Sequence, residues 1–301
     1  MIIAKLKGGL GNQMYQYAFG LHLAIKNNTE LKLDLSYLNN RTPKKFFQFR
    51  DYELDLFNIK AEIAGIRDLE PFKLPTPGFF EKRKIIKQQN RIKEFESEKH
   101  YILFEPHFHF YPKALRYPKN TYIDGYWQSE KYFKGVEDII RRDFQFNNEL
   151  EGKTAEFADK ISLSNSVCLH VRHGYLNNLR DKYVHGFVGM RYIKNAIEII
   201  KNKIENPELY VFSDNPDWCK ANIKTDIPVH FVENEIMDEK NHIYFQLMTL
   251  CRHYIIANSS FSWWGAWLSN NPNKVVIAPK KWFRFSLNNT KDLIPEKWLR
   301  V

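Results

Sequence analysis

Residues 2–13 read IIAKLKGGLGNQ, and this stretch decides how the chain begins to fold. Its first residues are apolar and partly β-branched, as in a buried strand, and the glycines that follow are typical of a tight turn before a helix. A helical stretch runs to about Lys26, and a short apolar strand follows at 31–35. This β-turn-α-β opening predicts a parallel sheet.

The same alternation of strand and helix returns in the second half of the chain. It predicts a doubly wound parallel sheet there as well, whereas residues 36–120 show no clear pattern. A boundary near residue 150 would give two Rossmann-like parallel-sheet domains facing a cleft, 1–150 and 151–301. The predicted strands lie at 122–124, 167–171, 209–212, 229–232, 254–257 and 275–277, and the predicted helices end near Arg142 or span 191–203, 243–251 and 261–268.

Composition indicates a folded protein that stays in the cytoplasm. The 301 residues are 44% hydrophobic, no apolar run is long enough for a membrane span, and the charged opening is too short for a signal peptide. The three cysteines form no C-x-x-C pair, so we interpret them as buried, reduced thiols.

The formal net charge of +10 suits an anionic ligand or an anionic membrane surface. No motif typical of nucleic-acid binding accompanies it, so no nucleic-acid partner is expected. The richest basic cluster lies in segment 82–93 and begins KRKIIK. It is interpreted either as a solvated helix face or as a peripheral contact with the inner face of a membrane.

Four polar motifs follow predicted strands, where ligands bind in open α/β sheets. In the first, the glycine turn, Gly9, Gly11, Asn12 and Gln13 are candidate ligand-binding residues. Two alternatives remain open for it. A tight turn without a ligand is one, and an incomplete dinucleotide fingerprint is the other, with Asp34 as a ribose-binding acid.

The second motif, HVRHG at 170–174, contains the candidate catalytic residues His170 and Arg172 and the candidate donor-binding residue His173. Arg172 can hold a diphosphate through a bidentate fork, and His170 can contact a base or ribose. The third motif, FSDNP at 212–216, ends a strand with Asp214, which can accept paired N–H donors from a guanine edge. Strand-end residues of these types are also found on ordinary surfaces, and Asp214 can equally be a helix cap.

The fourth motif, NSSFSWWGAW at 258–267, brings Ser259, Ser260 and Ser262 to the start of a helix, which is typical of an anion site. Its tryptophans are interpreted as core packing or as a stacking surface for sugars. No D-x-D triplet occurs, so neither a metal nor another cofactor is expected. The chain also lacks the G-x-S-x-G and H-E-x-x-H signatures of hydrolases.

Taken together and in this order, the motifs resemble glycosyltransferase family 11, the α-1,2-fucosyltransferases. The resemblance spans nearly the whole chain except residues 36–120. It is carried by GGLGNQMYQYAFG at 8–20, DGYWQSEKYF at 124–133, HVRHG at 170–174, VFSDNPDWCK at 211–220, LMTLCRHYIIANSSFSWWGAWL at 247–268 and VIAPKKWF at 276–283.

The resemblance implies a GT-B-like architecture, with the acceptor on the first half, GDP-β-L-fucose on the second half, and a metal-free inverting transfer to a galactoside. It also implies that Arg172 binds phosphate and that Asp214 and the three serines belong to the donor site. His173 and Tyr175 depart from the arginine and aspartate of the family's H-x-R-R-x-D motif. A catalytically weak carbohydrate-binding relative is therefore an alternative.

The general base that such a transfer needs is left open by the sequence. The candidates are Asp34, Asp124, His173 and the carboxylates in 51–70, with no ranking among them.

Overall fold

The computed structural model of the chain describes residues 1–42, 49–72, 100–174, 183–232, 242–285 and 287–301. These residues form two compact units. The first is Met1–Gln145 with Asn288–Leu293, and the second is Phe146–Leu287 with Ile294–Val301. Each unit has its own parallel sheet, so the predicted α/β class is confirmed. The assignment of acceptor and donor to the two halves stays a prediction.

The first unit contains a five-stranded parallel sheet in the order β3-β2-β1-β5-β4. Its strands are β1 (Ile2–Lys5), β2 (Leu31–Asp34), β3 (Glu62–Ile63), β4 (Tyr101–Phe104) and β5 (Thr121–Asp124). Its helices are α1 (Leu10–Lys26), α2 (Ser36–Asn39), α3 (Ile66–Leu69) and α4 (Glu137–Asp143), with 3₁₀ turns at Leu54–Leu56, Glu70–Phe72, Pro112–Arg116 and Glu130–Tyr132.

The helix predicted to end near Arg142 is interrupted. A 3₁₀ turn ends at Tyr132, and α4 begins only at Glu137. Between them Gly135 has φ of +95°, a backbone conformation outside the right-handed helical region. One helical stretch is therefore divided into two short pieces.

Helix α1 lies close to the sheet because Gly20 has no side chain. A Cβ atom at Gly20 would be 2.8 Å from Leu31 Cδ1 and 3.2 Å from Ala4 Cβ. The preceding residue, Phe19, packs against Trp127 and Tyr132, with its ring centroid 4.6 Å and 4.9 Å from theirs. The glycine turn before α1 is thus anchored by the core of the first unit.

The second unit contains a six-stranded parallel sheet in the order β11-β10-β9-β6-β7-β8. Its strands are β6 (Asn165–Val171), β7 (Pro207–Ser213), β8 (Val229–Phe231), β9 (His253–Ile255), β10 (Val276–Ala278) and β11 (Leu299–Arg300). Its helices are α5 (Gly152–Leu163), α6 (Met190–Lys203), α7 (Pro216–Asn222), α8 (His242–Leu250) and α9 (Ser260–Leu268).

Helix α6 shows how the sequence pattern builds this core. Ile193, Ala196, Ile197 and Ile200 are spaced three or four residues apart or adjacent, so they share one helix face, and all four are buried. They belong to one apolar cluster with β6 and β7 residues. Packing of this kind holds the carboxyl ends of the strands in place.

The tryptophans of α9 are core residues. Trp263, Trp264 and Trp267 are buried and pack on one another, with centroids 5.1 Å apart for the first two and 5.2 Å for the last two. They are therefore not a sugar-stacking surface. The three cysteines are buried free thiols, as predicted.

Within the described residues, no helix combines the length and the apolar character that crossing a membrane requires. Segment 82–93, the predicted membrane contact, lies outside the described residues.

We predict that Gly20→Val destabilises the first unit because the added side chain meets the sheet. Overpacking of this kind typically costs about 1–3 kcal/mol. Chemical denaturation should show the loss as a lower free energy of unfolding. The control is Ile25→Val, which introduces the same residue at an exposed position of the same helix and should change stability little. An unchanged midpoint for Gly20→Val would contradict the close approach of α1 to the sheet.

Candidate functional site

The carboxyl ends of β6 and β7 lie side by side and bring two predicted motifs together. His170 pairs with Phe212 and Val171 with Ser213 in the parallel register. The loop after β6 therefore leaves the sheet next to Asp214, the residue that follows β7. This is the edge where open α/β sheets bind ligands.

The Asp214 carboxylate holds that loop. Its Oδ1 accepts a hydrogen bond from the His173 backbone N–H at 2.8 Å, and Oδ2 accepts one from the Gly174 N–H at 2.9 Å. Arg172 Nη1 lies 3.1 Å from the same Oδ2. A Cβ at Gly174 would be 2.5 Å from Oδ2, so this approach requires glycine. The contact of Asp214 with guanine stays a prediction. In the structure its carboxylate binds two backbone N–H groups and the Arg172 guanidinium.

The ion pair with Asp214 orients the Arg172 guanidinium at the strand end. Both side chains are partly exposed, at 32% and 22%. A guanidinium has five N–H donors in a fixed fork, and an ion pair through Nη1 uses only part of that set. Arg172 is thus placed as an oriented cation at a ligand-binding edge.

His170 is a buried, neutral imidazole. Only 5% of it is exposed, and its Nδ1 has no hydrogen-bond partner within the described residues. Burial, with a further contribution from the Arg172 charge, lowers the pKa of His170 to about 3. His170 therefore cannot be a cationic phosphate ligand at neutral pH, but it can accept or donate a hydrogen bond.

His173 is held by aromatic stacking and by an amide. Its ring stacks on Trp218 with centroids 4.7 Å apart, and its Nδ1 lies 3.3 Å from Asn215 Nδ2. Asn215 Oδ1 accepts the Trp218 backbone N–H and so caps the start of α7. This bond orients the amide, so Nδ2 donates to His173 Nδ1. Nδ1 is therefore the acceptor of this bond, and the ring can donate a hydrogen bond through Nε2.

The start of α9 carries two hydroxyls that have no hydrogen-bond partner in the part of the chain that is described, those of Ser259 and Ser260. The first backbone N–H groups of a helix also lack partners within it. By contrast, Ser262 is fully buried and its Oγ donates to the Ser259 carbonyl at 3.3 Å. Ser262 thus supports the helix start, and Ser259 and Ser260 are the candidate ligand-binding serines.

Asn258, just before these serines, was missed as an individual site residue. Its buried amide Nδ2 lies within 3.2 Å of three carbonyl oxygens, those of His185, Gly186 and Trp282. Its Oδ1 is buried and has no partner among the described residues. Burying an unpaired acceptor is costly, so a ligand donor at this position would be stabilising.

In the first unit, the buried side-chain amide of Gln13 fixes the glycine turn. Gln13 is fully buried. Its Oε1 accepts the Glu53 backbone N–H at 3.0 Å, and its Nε2 donates to the carbonyls of Gly8 and Asp51. The prediction of Gln13 as a ligand-binding residue is corrected: both ends of its amide are used in joining two loops. Gly11 is likewise buried in the first turn of α1.

Gly9 and Asn12 are the more exposed members of the turn. Asn12 Oδ1 accepts a hydrogen bond from Gln128 Nε2 at 2.6 Å. Their assignment to donor binding stays a prediction.

A carboxylate lies beside the glycine turn. The Glu53 Oε1 would be 3.7 Å from a Cβ at Gly9, the residue before α1. A negative charge near a helix N-terminus repels a phosphate, which argues against the turn as a dinucleotide phosphate site.

Asp34 is also engaged within the fold. Its oxygens accept the Ser36 N–H at 2.8 Å, the Ser36 hydroxyl at 2.9 Å and the Tyr122 hydroxyl at 2.5 Å. The side chain is buried, so it is not available to a ribose or as a general base. With the Glu53 carboxylate beside the glycine turn, this argues against the nicotinamide or flavin alternative.

Two more carboxylates lie at the carboxyl edge of the first sheet. Asp124 contacts Lys5 Nζ at 3.2 Å and Lys7 Nζ at 2.6 Å. Burial alone raises the pKa of Asp124, but these two charges bring it below its ordinary value.

Glu105 follows β4 and accepts the Tyr126 and Trp127 backbone N–H groups, one on each oxygen, at 2.7 Å and 3.0 Å. Burial raises the pKa of Glu105 to about 7. Its carboxylate clamps the turn after β5.

Sequence reasoning could not single out Glu53 or Glu105, because both come from the region without a periodic pattern. Tyr175, one of the two departures from the family motif, lies outside the described residues. Within the described ranges, no three His, Cys, Asp or Glu side chains converge as a metal site would require. The absence of a metal in the reaction stays a prediction.

Comparison with known proteins gives a match over nearly the full length. The model of Glycosyl transferase family 11 matches residues 1–300. An α-1,2-colitosyltransferase of Escherichia coli is 34% identical, with 100% of this chain and 99% of that protein covered. The O-antigen biosynthesis glycosyltransferase WbnK of Escherichia coli is 32% identical over 98% and 99% of the two chains.

More distant relatives match in part. The human galactoside α-(1,2)-fucosyltransferase 1 is 28% identical over 49% of this chain and 42% of that protein. Among solved structures, Arabidopsis thaliana FUT1 in complex with GDP has a TM-score of 0.52 at 11% identity, covering 93% of this chain and 71% of that one. This likeness supports the predicted GT-B-like fold.

We predict that Asp214→Ala lowers the free energy of unfolding of the second unit. The substitution removes an acceptor shared by two backbone N–H groups and a guanidinium, and hydrogen bonds to charged groups contribute roughly 1.5–3 kcal/mol each when buried, less at this partly exposed site. Urea denaturation measures the change. Asp217→Ala is the control, since Asp217 lies in the first turn of α7 and should contribute only through the helix dipole. Equal losses in the two variants would contradict the role of Asp214 in holding the loop.

Proposed function

Because the chain belongs to glycosyltransferase family 11, we propose that it transfers L-fucose from GDP-β-L-fucose to the 2-hydroxyl of a galactoside, with inversion at the anomeric carbon. The observation that carries the proposal is the strand-end Arg172 held by Asp214. An oriented guanidinium at the carboxyl edge of a parallel sheet is suited to a diphosphate.

The donor phosphates are assigned to Arg172 and the start of α9. Departure of GDP places negative charge on the β-phosphate, and preformed donors stabilise that charge without reorganisation. Ser259 and Ser260 add hydroxyls, and the first turn of α9 adds backbone N–H groups. His173 adds an Nε2–H donor where the family motif has a second arginine.

The nucleoside is assigned to the neutral polar groups nearby. His170 Nδ1 and Asn258 Oδ1 are buried and lack partners in the described part of the chain. A ligand that offers both hydrogen-bond donors and acceptors, such as a guanine or ribose, would satisfy them. His170 then acts through hydrogen bonding, because its lowered pKa keeps the ring neutral.

A second candidate sugar is colitose, which is L-fucose without one hydroxyl group. The observation that favours it is the full-length similarity to the colitosyltransferase, whereas the human fucosyltransferase matches about half of this chain. A site that hydrogen-bonds the extra hydroxyl discriminates strongly against the analogue that lacks it. The two donors therefore give different results in one assay.

The acceptor is a galactoside, and the similarity to WbnK supports a glycan of the O-antigen type. It is assigned to the first unit, whose sheet edge carries uncharged amides and paired carboxylates and lysines.

The test is to incubate the protein with GDP-fucose or GDP-colitose and an array of galactosides, and to determine the linkage of each product. An α-1,2-linked fucoside is the expected product. Transfer from GDP-colitose alone would reassign the sugar. Tight GDP binding without any transfer would support the catalytically weak carbohydrate-binding relative.

We predict that Arg172→Lys is a severe kinetic lesion, because lysine keeps the charge and loses the bidentate fork. Loss of such an electrostatic contact typically costs roughly 10²–10³ in kcat. GDP affinity should weaken by a smaller factor, since part of the contact exists before the reaction. The apo melting temperature should change little, since lysine can still pair with Asp214. A variant with near-normal kcat would remove Arg172 from the mechanism.

We predict that transfer survives EDTA, because the chain has no D-x-D triplet and Arg172 supplies positive charge at the phosphate site. The assay is transfer before and after chelation. Loss of activity that Mg²⁺ or Mn²⁺ restores would show that the phosphate site is misassigned.

A further inference from the structure

We propose that Tyr126 forms a stacking surface for the galactoside acceptor, with the Lys7 ammonium beside it as a donor to the sugar hydroxyls. The assignment rests on the proposed transfer reaction and names an acceptor-binding surface, which the sequence motifs leave open. All the residues that form this surface belong to the first unit.

Tyr126 is the one exposed residue in an otherwise buried stretch. Residues 121–125 and 127–129 are all buried, whereas 36% of Tyr126 is exposed. A tyrosine that served only the core would be buried with its neighbours. Tyr126 follows the end of β5 by two residues, so it lies at the carboxyl edge of the sheet, where open α/β sheets bind ligands.

The backbone that carries Tyr126 is strained. The next residue, Trp127, has φ of +56°, which is uncommon for a residue with a bulky side chain. On the other side, a Cβ at Gly125 would be 2.5 Å from Glu105 Cβ and 2.6 Å from the Trp127 ring, so the turn requires glycine there. Strained residues of this kind are concentrated at ligand-binding and active sites.

Two side chains fix this turn within the unit. Glu105 accepts the backbone N–H groups of Tyr126 and of the residue after it, at 2.7 Å and 3.0 Å. The buried Gln16 donates to the Gly125 carbonyl at 3.1 Å and exchanges hydrogen bonds of 2.9 Å and 3.2 Å with the Lys7 backbone. The turns after β1 and β5 are thereby joined, and Tyr126 is held in a fixed position next to Lys7.

Lys7 places hydrogen-bond donors beside the aromatic ring. Its Nζ lies 4.8 Å from the centroid of the Tyr126 ring and 2.6 Å from Asp124 Oδ1. An ammonium group has three N–H donors, and the bond to Asp124 uses one of them. An apolar ring face and a cationic donor are therefore side by side at the sheet edge.

The chemistry of this surface favours an uncharged sugar over other ligands. The face of galactose opposite its axial hydroxyl presents mainly C–H groups, which can pack on an aromatic ring, while its hydroxyls need hydrogen-bonding partners. The two lysines that pair with Asp124 are balanced by this carboxylate and by Glu105, so a phosphate gains no advantage here. One exposed tyrosine is also too small a surface for a stable protein interface.

The experiment follows the binding of methyl β-D-galactoside to the chain by saturation-transfer NMR, without a donor nucleotide. In the wild type, saturation should be strongest on the C–H protons of the stacked face. Tyr126→Ala should weaken binding roughly tenfold, because it removes an aromatic stacking contact. Tyr126→Phe keeps the ring and should restore most of the binding that alanine loses.

The control is Tyr101→Ala. Tyr101 is the first residue of β4 and lies at the amino end of the same sheet, so its removal should leave galactoside binding unchanged. In the transfer assay, Tyr126→Ala should raise the acceptor KM by a similar factor, with kcat at saturating acceptor and GDP affinity close to wild type. A merely structural tyrosine would lower the free energy of unfolding and leave the acceptor KM of the folded protein unchanged.

Wild-type galactoside binding in Tyr126→Ala overturns the assignment. So does an equal loss in Tyr126→Phe, because the hydroxyl would then be the contact, and so does a wild-type chain that shows no saturation transfer to the galactoside. If Tyr126→Ala does not fold, Tyr126→Leu replaces it: weaker binding supports the stacking surface, and unchanged binding overturns it. A wild-type chain that binds the galactoside but neither binds GDP nor transfers a sugar overturns the proposed function instead.

Discussion

Parallel strand pairing is the constraint on which this structure depends. Within the described residues, all strands of both sheets pair in parallel, so each connection must return across a face of its sheet and the faces become core. Polar side chains that cannot enter the core are left at the strand ends. Because parallel strands all end at one edge, residues distant in sequence such as Arg172 and Asp214 become neighbours there.

The carboxyl edges of the two sheets differ in charge, so they suit different ligands. In the second unit, the edge presents a guanidinium, two histidine rings and the start of a helix, which together suit a nucleoside diphosphate. In the first unit, the Glu53 carboxylate lies beside the helix start that follows β1. Glycines between a strand and a helix are typical of an anion site. Here the neighbouring Glu53 carboxylate makes the surroundings of the turn negative instead.

The sequence predicts most of the architecture because its signals are local. Apolar runs and the amphipathic α6 are each encoded within a few residues, and each was placed to within a few positions. The interruption before α4 was missed, because a positive φ at Gly135 depends on its surroundings. Strands β3 and β4 were missed because their pairing partners, and not their own pattern, define them.

The site was predicted less completely, since its residues act through distant partners. The strand-end motifs point to Arg172 and the serines, whose ligand contacts stay a prediction. Only tertiary contacts show that Gln13 is structural, that His170 is neutral and that Asp214 binds the loop beside it. Glu53 and Glu105 come from a region without periodicity. The surroundings of their carboxylates are set by residues that are distant in the sequence.

The most direct test of the account is a crystal structure of the chain with GDP bound. The account predicts the β-phosphate against the Arg172 guanidinium and the Ser259–Ser260 hydroxyls, with Glu53 still beside Gly9 and clear of the nucleotide. A diphosphate seated on the glycine turn, with Glu53 displaced and Arg172 not in contact, would contradict it.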